Sequence, residues 1–445
     1  MAYTSVSGRK PFERASKIAH SQIVNDPHVI DFVNQCVLPK PPQPAALRSQ
    51  LESIPSQTGR LQAVIAIDGG MTETFVRSEF PSASIGFVAM GPLLLRLDDL
   101  RDLDRMPFIG PDDMARLRSI QRYSFAFPTK LVRYGASATF AEGFRRRVHE
   151  FLLQGDGHLL AALAWLIHRG WRKPDAQETW TIPHCPNPSC TKQDIAFAPN
   201  GPETQFCVEC GGAVFLADAL RLYERVDEEH GASPVLSYLL TTLEQIILVH
   251  LIRTVLDMKP SLLREVLFVK DGPLAFFGVT APLYKPMREL IVHLRDAGVA
   301  GGPLINLIGV QKSGAFVDHA TAIGDYLHAN EVFVPNNDYI YRYVIPGDSA
   351  TQSFGRNTYY GATAIFKGSA NDLYVGSVPA GEYRLAPRVA DLYNAGDVLR
   401  TTCQLRCSMY DNALVPIALA NRLVSLADVP SAEILKKFAQ GAMRS

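Results

Sequence analysis

Two pairs of cysteines constrain the middle of this chain more than any other sequence feature. Cys185 and Cys190 flank Pro-Asn-Pro-Ser, Cys207 and Cys210 flank Val-Glu ahead of two glycines, and sixteen residues separate the pairs. Each pair can place two thiolates on one short loop, and two such loops complete the tetrahedral shell that Zn²⁺ prefers. The alternative, four unrelated core thiols, leaves the surrounding Pro, Gly and Asn residues unexplained. The spacing predicts a zinc ribbon over residues 181–217, with a structural Zn²⁺ because four thiolates leave no position for water.

The composition is that of a globular chain able to bury a sizeable core. Of its 445 residues, 47% are hydrophobic and 20% are charged, which excludes a disordered tail protein. The longest unbroken apolar run identified, residues 159–167, is shorter than the ~20 residues that a bilayer requires. A secretory signal requires an apolar stretch after its basic residues, and none follows Arg9 and Lys10. These features predict a cytoplasmic protein with no membrane association.

The net charge is zero, with 44 basic and 44 acidic residues, and this excludes a uniformly basic DNA coat protein. The charge is nevertheless uneven. Residues 122–173 carry nine Lys and Arg against three acids, and residues 203–229 carry seven acids against two arginines. Arg145, Arg146 and Arg147 are therefore candidates for DNA binding, with a solvated helix face as the alternative. The acidic stretch would face a protein partner or discourage misplaced DNA.

The order of strand and helix signals predicts an α/β fold in five segments. These are an arm (1–57), a first part of the core (58–121), a helical basic insert (122–180), the zinc ribbon (181–217) and a second part of the core (218–445). Helices are predicted at residues 29–37, 94–105, 112–120, 235–256, 285–296, 387–394, 414–426 and 431–440. Strands are predicted at residues 61–67, 84–90, 265–269, 274–279, 304–310, 339–344 and 359–366.

Two aspartates occupy equivalent local positions. Asp68 and Asp271 each follow an apolar strand and precede a glycine. If the two strands are neighbours, the two carboxylates lie a few ångströms apart, which is costly unless a cation is present. A divalent metal ion removes that cost. The alternative is that both are ordinary Asp-Gly turns.

Glu244 strengthens the case for a metal site. It lies in a predicted helix, residues 235–256, that is apolar on nearly every face and is therefore expected to be buried. A buried carboxylate requires a partner, which can be an arginine, a proton or a metal ion. The residues alone do not decide whether Glu244 is a metal ligand or part of a structural ion pair. His250, six residues further on, is expected to be a core histidine.

Motifs for other chemistries are missing from the sequence. It has no G-x-x-x-x-G-K-[ST], no G-x-G-x-x-G after a strand, no H-E-x-x-H and no G-x-S-x-G. A carboxylate cluster with divalent metal remains, and its commonest use is phosphodiester hydrolysis.

The order of these motifs resembles the NurA nucleases. The resemblance rests on Ile67-Asp68-Gly69, on Glu244, on Lys270-Asp271-Gly-Pro-Leu, on the segment 307–312 (Leu-Ile-Gly-Val-Gln-Lys) and on the segment 414–421 (Leu-Val-Pro-Ile-Ala-Leu-Ala-Asn). It covers about two thirds of the chain. It implies an RNase H-like mixed sheet core flanked by helices, Mn²⁺ or Mg²⁺ as cofactor, DNA degradation, a homodimer, and a HerA-like hexameric ATPase partner in DNA end processing or anti-phage defence.

The same resemblance implies roles for individual residues. Asp68, Glu244 and Asp271 would hold the metal ions, and Lys312 would contact the scissile phosphate. Glu244 lies 27 residues before Asp271, an interval longer than is usual in the family. Asn421 stands where the family usually has histidine, and asparagine can ligate a metal through its carbonyl oxygen but cannot shuttle a proton.

The departure at Asn421 leaves alternatives to a nuclease open. His319 is a candidate substitute for the family histidine. A non-catalytic zinc-ribbon adaptor, with a degenerate nuclease core that binds a ring ATPase or DNA, is the second hypothesis. A phosphatase or nucleotide hydrolase acting on small substrates is the third.

Overall fold

The computed structural model describes residues 19–37, 41–77, 79–99, 118–119, 122–298, 302–369, 372–407, 414–426 and 431–442. The chain divides into two units, Met1–Gln43 and Pro44–Ser445. The first unit contains two short helices, α1 (Ala19–Asn25) and α2 (Pro27–Gln35). Asp26 caps α2, because its side chain accepts a hydrogen bond of 2.8 Å from the His28 amide. The predicted helix at 29–37 is confirmed, with both ends two residues earlier.

The second unit is a mixed α/β fold built on one ten-stranded sheet. The strands of the sheet are β1 (Leu51–Ser53), β2 (Ala63–Arg77), β3 (Phe80–Arg96), β4 (Arg118–Ser119), β5 (Tyr123–Lys130), β10 (Val266–Asp271), β11 (Asn306–Gln311), β12 (Glu331–Phe333), β13 (Gly361–Lys367) and β14 (Leu373–Pro379). Two hairpins lie outside the sheet: β6 (Trp180–His184) with β7 (Gln193–Phe197), and β8 (Thr204–Phe206) with β9 (Ala213–Phe215).

Besides a helical segment that begins at residues 97–99, ten helices accompany the strands in the described part of this unit. They are α3 (Pro44–Arg48), α4 (Phe140–Leu152), α5 (His158–Ile167), α6 (Leu236–Met258), α7 (Tyr284–Asp296), α8 (Ala315–Ile323), α9 (Asn337–Tyr343), α10 (Ala395–Gln404), α11 (Val415–Val424) and α12 (Ser431–Ala442). The sheet order is β1-β12-β13-β14-β11-β10-β2-β3-β4, and β5 also pairs with β3. The α/β class with a mixed sheet core and flanking helices is confirmed.

The centre of the sheet is parallel, and this positions the aspartates. Strand β10 runs between β2 and β11 and is parallel to both. The register pairs Lys270 with Ile67 and Asp271 with Val310. Asp68, the residue after Ile67, therefore lies beside Asp271, where β10 ends. The Asp-Gly-Gly sequence predicted that β2 ends at this point, and this prediction is wrong. Strand β2 continues to Arg77 in a long antiparallel pair with β3.

Side-chain alternation divides the core between the two faces of the sheet. Ile65 and Ile67 belong to the cluster that includes the buried residues of α6, whereas Val64 and Ala66 belong to the cluster that includes those of α11. Helix α6, with the turn before it, is long and apolar enough to span a membrane, the one such helix among the described residues. Its most apolar window is 72% buried, as expected for the core helix of this sheet.

Several local predictions are wrong. Residues 339–344 form helix α9 rather than a strand, because the Asn336 side chain caps the helix by accepting a 2.9 Å hydrogen bond from the Tyr339 amide. Residues 274–279 form no strand and lead into a 3₁₀ helix, Gly278–Leu283. In the segment 387–394 only a 3₁₀ turn, Val389–Asp391, is present.

Two further differences concern the first half of the chain. The predicted helix at 94–105 is confirmed in part: residues 94–96 form the end of β3, residues 97–99 are helical, and residues 100–105 lie outside the described part. Within the predicted helix at 112–120, only 118–119 are described, and they form β4. The segment predicted as a helical insert begins with β5, a strand of the main sheet, before α4 and α5. The predicted helices over 235–256, 285–296, 414–426 and 431–440 are confirmed to within two residues at each end.

Candidate functional site

Asp68 and Asp271 lie side by side on one face of the sheet. Each is an even number of residues from side chains in the α11 cluster, Ala66 and Val269 respectively, so alternation points both carboxylates to the α11 face. Asp68 is 2% exposed. Its Oδ1 accepts a 2.8 Å hydrogen bond from the Gly69 amide, whereas its buried Oδ2 has no hydrogen-bond partner among the described residues.

The surroundings of Asp68 make its ionised form costly. Burial is the largest cause, and the charge of Asp271 adds to it, so that the pKa of Asp68 is raised from 3.8 to about 6. The ammonium group of Lys312 acts in the opposite direction. The proximity of Asp271 thus adds an electrostatic cost to the ionised form of Asp68. A cation with oxygen ligands would relieve this cost.

Lys312 lies where this arrangement meets solvent. Its Nζ is 3.1 Å from Asp271 Oδ2, and the two side chains are 35% and 31% exposed. The pair is thus accessible, while Asp68 behind it is not. Because the Lys312 ammonium group is accessible, it can hold an anionic substrate group next to buried Asp68 without itself being desolvated.

Glu244 reaches the site from the other face. It belongs to α6, and its carboxylate lies 3.1 Å from Lys270 Nζ, with both side chains at most 4% exposed. Burial, together with the charges of Asp68 and Asp271, raises the pKa of Glu244 to about 7, and Lys270 opposes this rise. The role of Lys270 could not be predicted from the sequence, because a lysine within an apolar strand carries no signal of its partner. A β-carbon added to Gly69 would lie 3.4 Å from Glu244 Oε1. The Glu244 carboxylate therefore lies next to the residue that follows Asp68 in β2.

Asn421 belongs to helix α11, which packs on the same face of the sheet as Asp68 and Asp271. The Asn421 side chain is near enough to Asp68 to lower its pKa, but it makes no hydrogen bond of normal geometry to the buried Oδ2. The close approach of α11 explains the second glycine of β2, because a β-carbon on Gly70 would lie 2.3 Å from the Val424 carbonyl oxygen. His319 does not replace Asn421 here. Its Nε2 is 2.9 Å from the Tyr339 hydroxyl, within the packing of α8 against α9.

The four cysteines converge as the sequence predicted. All four Sγ atoms lie within 4.8 Å of one another. Cys185 Sγ is 3.8 Å from Cys210 Sγ, and Cys190 Sγ is 3.7 Å from Cys207 Sγ. A tetrahedron with Zn–S bonds of about 2.3 Å has edges of about 3.8 Å. The cluster, held between the β6–β7 and β8–β9 hairpins, therefore has the geometry of a zinc site.

The carboxylates are less tightly gathered than the cysteines. Among the described residues, the four cysteines are the one group in which at least three His, Cys, Asp or Glu ligand atoms lie within 4.8 Å. Asp68 and Asp271 supply oxygen ligands suited to Mn²⁺ or Mg²⁺, and the unpartnered Asp68 Oδ2 fits such an ion. Glu244 is bound to Lys270 instead.

The three candidate arginines all lie on α4 and all have protein partners. Arg145 is buried, and its Nε donates a 2.8 Å hydrogen bond to Asp218. Arg146 pairs with Glu142 at 2.9 Å, and Arg147 Nε donates to the Ala126 carbonyl oxygen at 2.7 Å. Arg145 thus joins α4 to the segment that follows the four-cysteine cluster. Arg146, at 44% exposure, is the most accessible of the three.

These features define the class of the molecule. It is a mixed α/β protein whose central parallel strands bring acidic and lysine side chains together where β10 ends, with a separate four-cysteine cluster. No protein-family model matches the sequence, and no curated protein matches it with significant similarity.

The chain matches solved structures of NurA nucleases over nearly its whole length at low sequence identity. The NurA nuclease from Sulfolobus solfataricus is 8% identical, with 96% of this chain and 98% of that chain covered and a TM-score of 0.35. Another NurA structure is 11% identical over 97% and 99% of the two chains, with a TM-score of 0.28. A NurA structure with manganese is 12% identical over the same shares, with a TM-score of 0.29.

Proposed function

We propose that this protein is a divalent-metal-dependent deoxyribonuclease. The observation that carries the proposal is the pair formed by Asp68 and Asp271 on adjacent parallel strands, with a buried, unpartnered carboxylate oxygen on Asp68 and an accessible lysine beside Asp271. Structural ion pairs seldom leave a carboxylate oxygen both buried and without a donor. A buried carboxyl group with a raised pKa, such as Asp68, is typical of functional sites.

Each residue has a defined task in this proposal. Asp68 and Asp271 would hold Mn²⁺ or Mg²⁺, with Glu244 as a third acidic group reached from the other face. When bound, the ion would neutralise these charges and activate water for attack on a phosphodiester. Lys312 would hold a non-bridging phosphate oxygen at the accessible edge, because its ammonium group already lies there. Asn421 would orient Asp68 and would not transfer a proton.

The test is cleavage of labelled linear DNA, single-stranded and double-stranded, with a titration of Mn²⁺ and Mg²⁺. The Asp271→Asn substitution is expected to reduce the rate at least 100-fold, as the loss of a principal catalytic group typically does. Asp257→Asn is the matched control, because Asp257 is 72% exposed near the C-terminal end of α6, where its only ion pair is a 3.8 Å contact with Arg253 among the described residues. Equal rates for wild type and Asp271→Asn would refute the proposal. A mononucleotide substrate in a parallel reaction separates a nuclease from a small-substrate phosphatase.

A non-catalytic adaptor is the second candidate, and a specific observation favours it. Lys270 and Lys312 already neutralise Glu244 and Asp271, so two of the three carboxylates have partners without any metal ion. Calorimetric titration with Mn²⁺ separates the two candidates. Binding that is lost in Asp68→Asn supports the nuclease, whereas no binding, combined with retained capture of a HerA-like ATPase or of DNA, supports the adaptor.

The remaining parts of the proposal concern partners and setting. A HerA-like hexameric ATPase, a homodimer, a cytoplasmic location, and a role in DNA end processing or anti-phage defence follow from the NurA resemblance. The four-cysteine cluster would hold structural Zn²⁺, and the exposed Arg146 would contact DNA or a partner. Light scattering of the purified chain, alone and mixed with a hexameric HerA-like ATPase, tests the homodimer and the partner. Metal analysis tests the zinc content.

A further inference from the structure

Lys270 is a buried lysine at the end of the strand that carries Asp271. It is 1% exposed, and it directly precedes Asp271 in β10. Phe268, two residues earlier, belongs to the core cluster that includes the buried residues of α6. Alternation along the strand therefore places the Lys270 side chain on the α6 face and the Asp271 side chain on the opposite face. An ammonium group without access to water needs a negatively charged partner and further acceptors.

The Lys270 ammonium group connects helix α6 to the backbone at the end of β10. Its Nζ is 3.1 Å from Glu244 Oε2, and it donates a hydrogen bond to the Asp271 carbonyl oxygen. The next residue, Gly272, has a φ of +79°, and a β-carbon there would lie 3.7 Å from Nζ. The turn after Asp271 thus packs closely on the ammonium group. Lys270 holds the Glu244 carboxylate in place and also fixes the backbone that carries the Asp271 side chain.

The positive charge beside Glu244 has a direct consequence for metal binding. In a two-metal phosphodiesterase the ions lie about 3.5–4 Å apart, and each is held by acidic side chains. An Mn²⁺ or Mg²⁺ ion bound to Glu244 Oε2 would be about 2.1 Å from that oxygen. It would therefore be at most about 5 Å from Lys270 Nζ. Two cations this close repel each other strongly where water is excluded, so Glu244 is closed to a divalent ion while Lys270 is in place.

The other two carboxylates are not closed in this way. Asp68 Oδ2 is buried and has no hydrogen-bond partner among the described residues. Asp271 has an ammonium neighbour, Lys312, but that side chain is 35% exposed, and its flexible stem lets it move into water when an ion binds. Lys270 is buried and has no such freedom. This difference between the two lysines leaves one position for a divalent ion, between Asp68 and Asp271.

We propose that the acidic site binds one divalent metal ion and that Lys270 supplies the positive charge that a second ion would otherwise bring. Asp68 and Asp271 hold the ion, whereas the third carboxylate, Glu244, is neutralised by an ammonium group of the chain itself. Lys270 is a positioning residue, because it acts through Glu244 and the Asp271 backbone and is too deeply buried to touch a substrate. The inference rests on the metal site of the proposed nuclease function and defines how many ions that site takes.

The number of bound ions is the quantity to measure. The full chain, with its zinc content determined beforehand, is titrated with Mn²⁺ by calorimetry without DNA, and the loaded protein is examined by electron paramagnetic resonance. Wild type should bind one Mn²⁺ per chain and give the spectrum of an isolated ion. Lys270→Gln removes the charge but keeps a donor for Glu244, so a second Mn²⁺ should bind and the spectrum should show two coupled ions. Lys259→Gln, at the exposed C-terminal cap of α6, is the matched control and should bind one.

The stability of Lys270→Gln provides a second measurement. This variant leaves Glu244 buried without a cation, so Mn²⁺ should raise its melting temperature by more than it raises that of wild type. If the variant is unfolded without metal, Mn²⁺ should restore the fold, and the ions in the refolded protein are counted in the same way. Adding Glu244→Gln to Lys270→Gln should return the count to one and remove the extra stabilisation. A Lys270→Gln variant that Mn²⁺ stabilises no more than wild type would contradict the proposal.

The ion count and the cleavage assay fail independently. Two ions in wild type, or one ion in Lys270→Gln, would overturn the inference. One ion in wild type and two in the variant, with no cleavage of DNA by wild type, would refute the nuclease and leave the inference standing. Cleavage of DNA by a wild-type protein that holds two ions would do the reverse. If wild type binds no Mn²⁺, the inference is wrong, and the cleavage assay decides the nuclease by itself.

Discussion

Replacing Asp68 with asparagine is expected to stabilise the metal-free protein at pH 8 while it removes the proposed activity. The folded-state pKa of Asp68 is raised from 3.8 to about 6, mainly by burial and then by the charge of Asp271. The folded state therefore binds the proton more tightly than the unfolded state. The free energy of unfolding therefore falls as pH rises from about 4 to 6, and it does not change further above that range.

The magnitude follows from the shift. At about 1.4 kcal/mol per pKa unit, a rise from 3.8 to about 6 corresponds to roughly 3 kcal/mol lost by wild type above pH 7. Asparagine avoids this loss and keeps an oxygen that can accept the hydrogen bond from the Gly69 amide. The advantage of Asp68→Asn over wild type should grow by about 2 kcal/mol between pH 4.5 and pH 8.

The assay is urea unfolding at these two pH values, in buffer without Mn²⁺ or Mg²⁺ but with trace zinc, so that the four-cysteine cluster is unaffected. Asp257→Asn, exposed on α6, is the control and should show no such pH dependence. An Asp68→Asn variant that is less stable than wild type at pH 8, or whose advantage is the same at both pH values, would refute the reasoning.

Three further outcomes test other parts of the molecule. Arg145→Ala should destabilise the fold by about 3–5 kcal/mol, because it leaves buried Asp218 without its partner. Arg146→Ala, on the same helix, should cost less than about 1 kcal/mol. Chemical denaturation measures both changes, and equal effects would contradict the assignment. Cys207→Ser should lower the bound zinc from one ion per chain towards none and lower the melting temperature, as followed by metal analysis and calorimetry. Lys312→Ala should slow DNA cleavage about 100-fold or more while it changes the free energy of unfolding by less than about 1 kcal/mol. An unchanged rate would exclude a phosphate contact.

Local signals carried much of the prediction. The four-cysteine cluster could be predicted from cysteine spacing, because each pair lies within a few residues of chain. The helix over 236–258 was predicted for a similar reason, since its apolar faces require burial wherever the helix lies. Short apolar runs were predicted less well. Residues 339–344 satisfy either a strand or a helix, and the Asn336 cap determined the outcome.

The active-site prediction was divided in the same way. The sequence by itself determined that Asp68 and Asp271 follow buried strands and that Glu244 is buried, because these properties depend on neighbours along the chain. Only the tertiary structure decided that β2 and β10 are adjacent and parallel, that Lys270 pairs with Glu244 on the opposite face, and that Asp218 neutralises Arg145. A buried charge must have a partner, but nothing in the local sequence specifies which distant residue supplies it. The order of strands in the sheet and the packing of helices on its two faces make that choice.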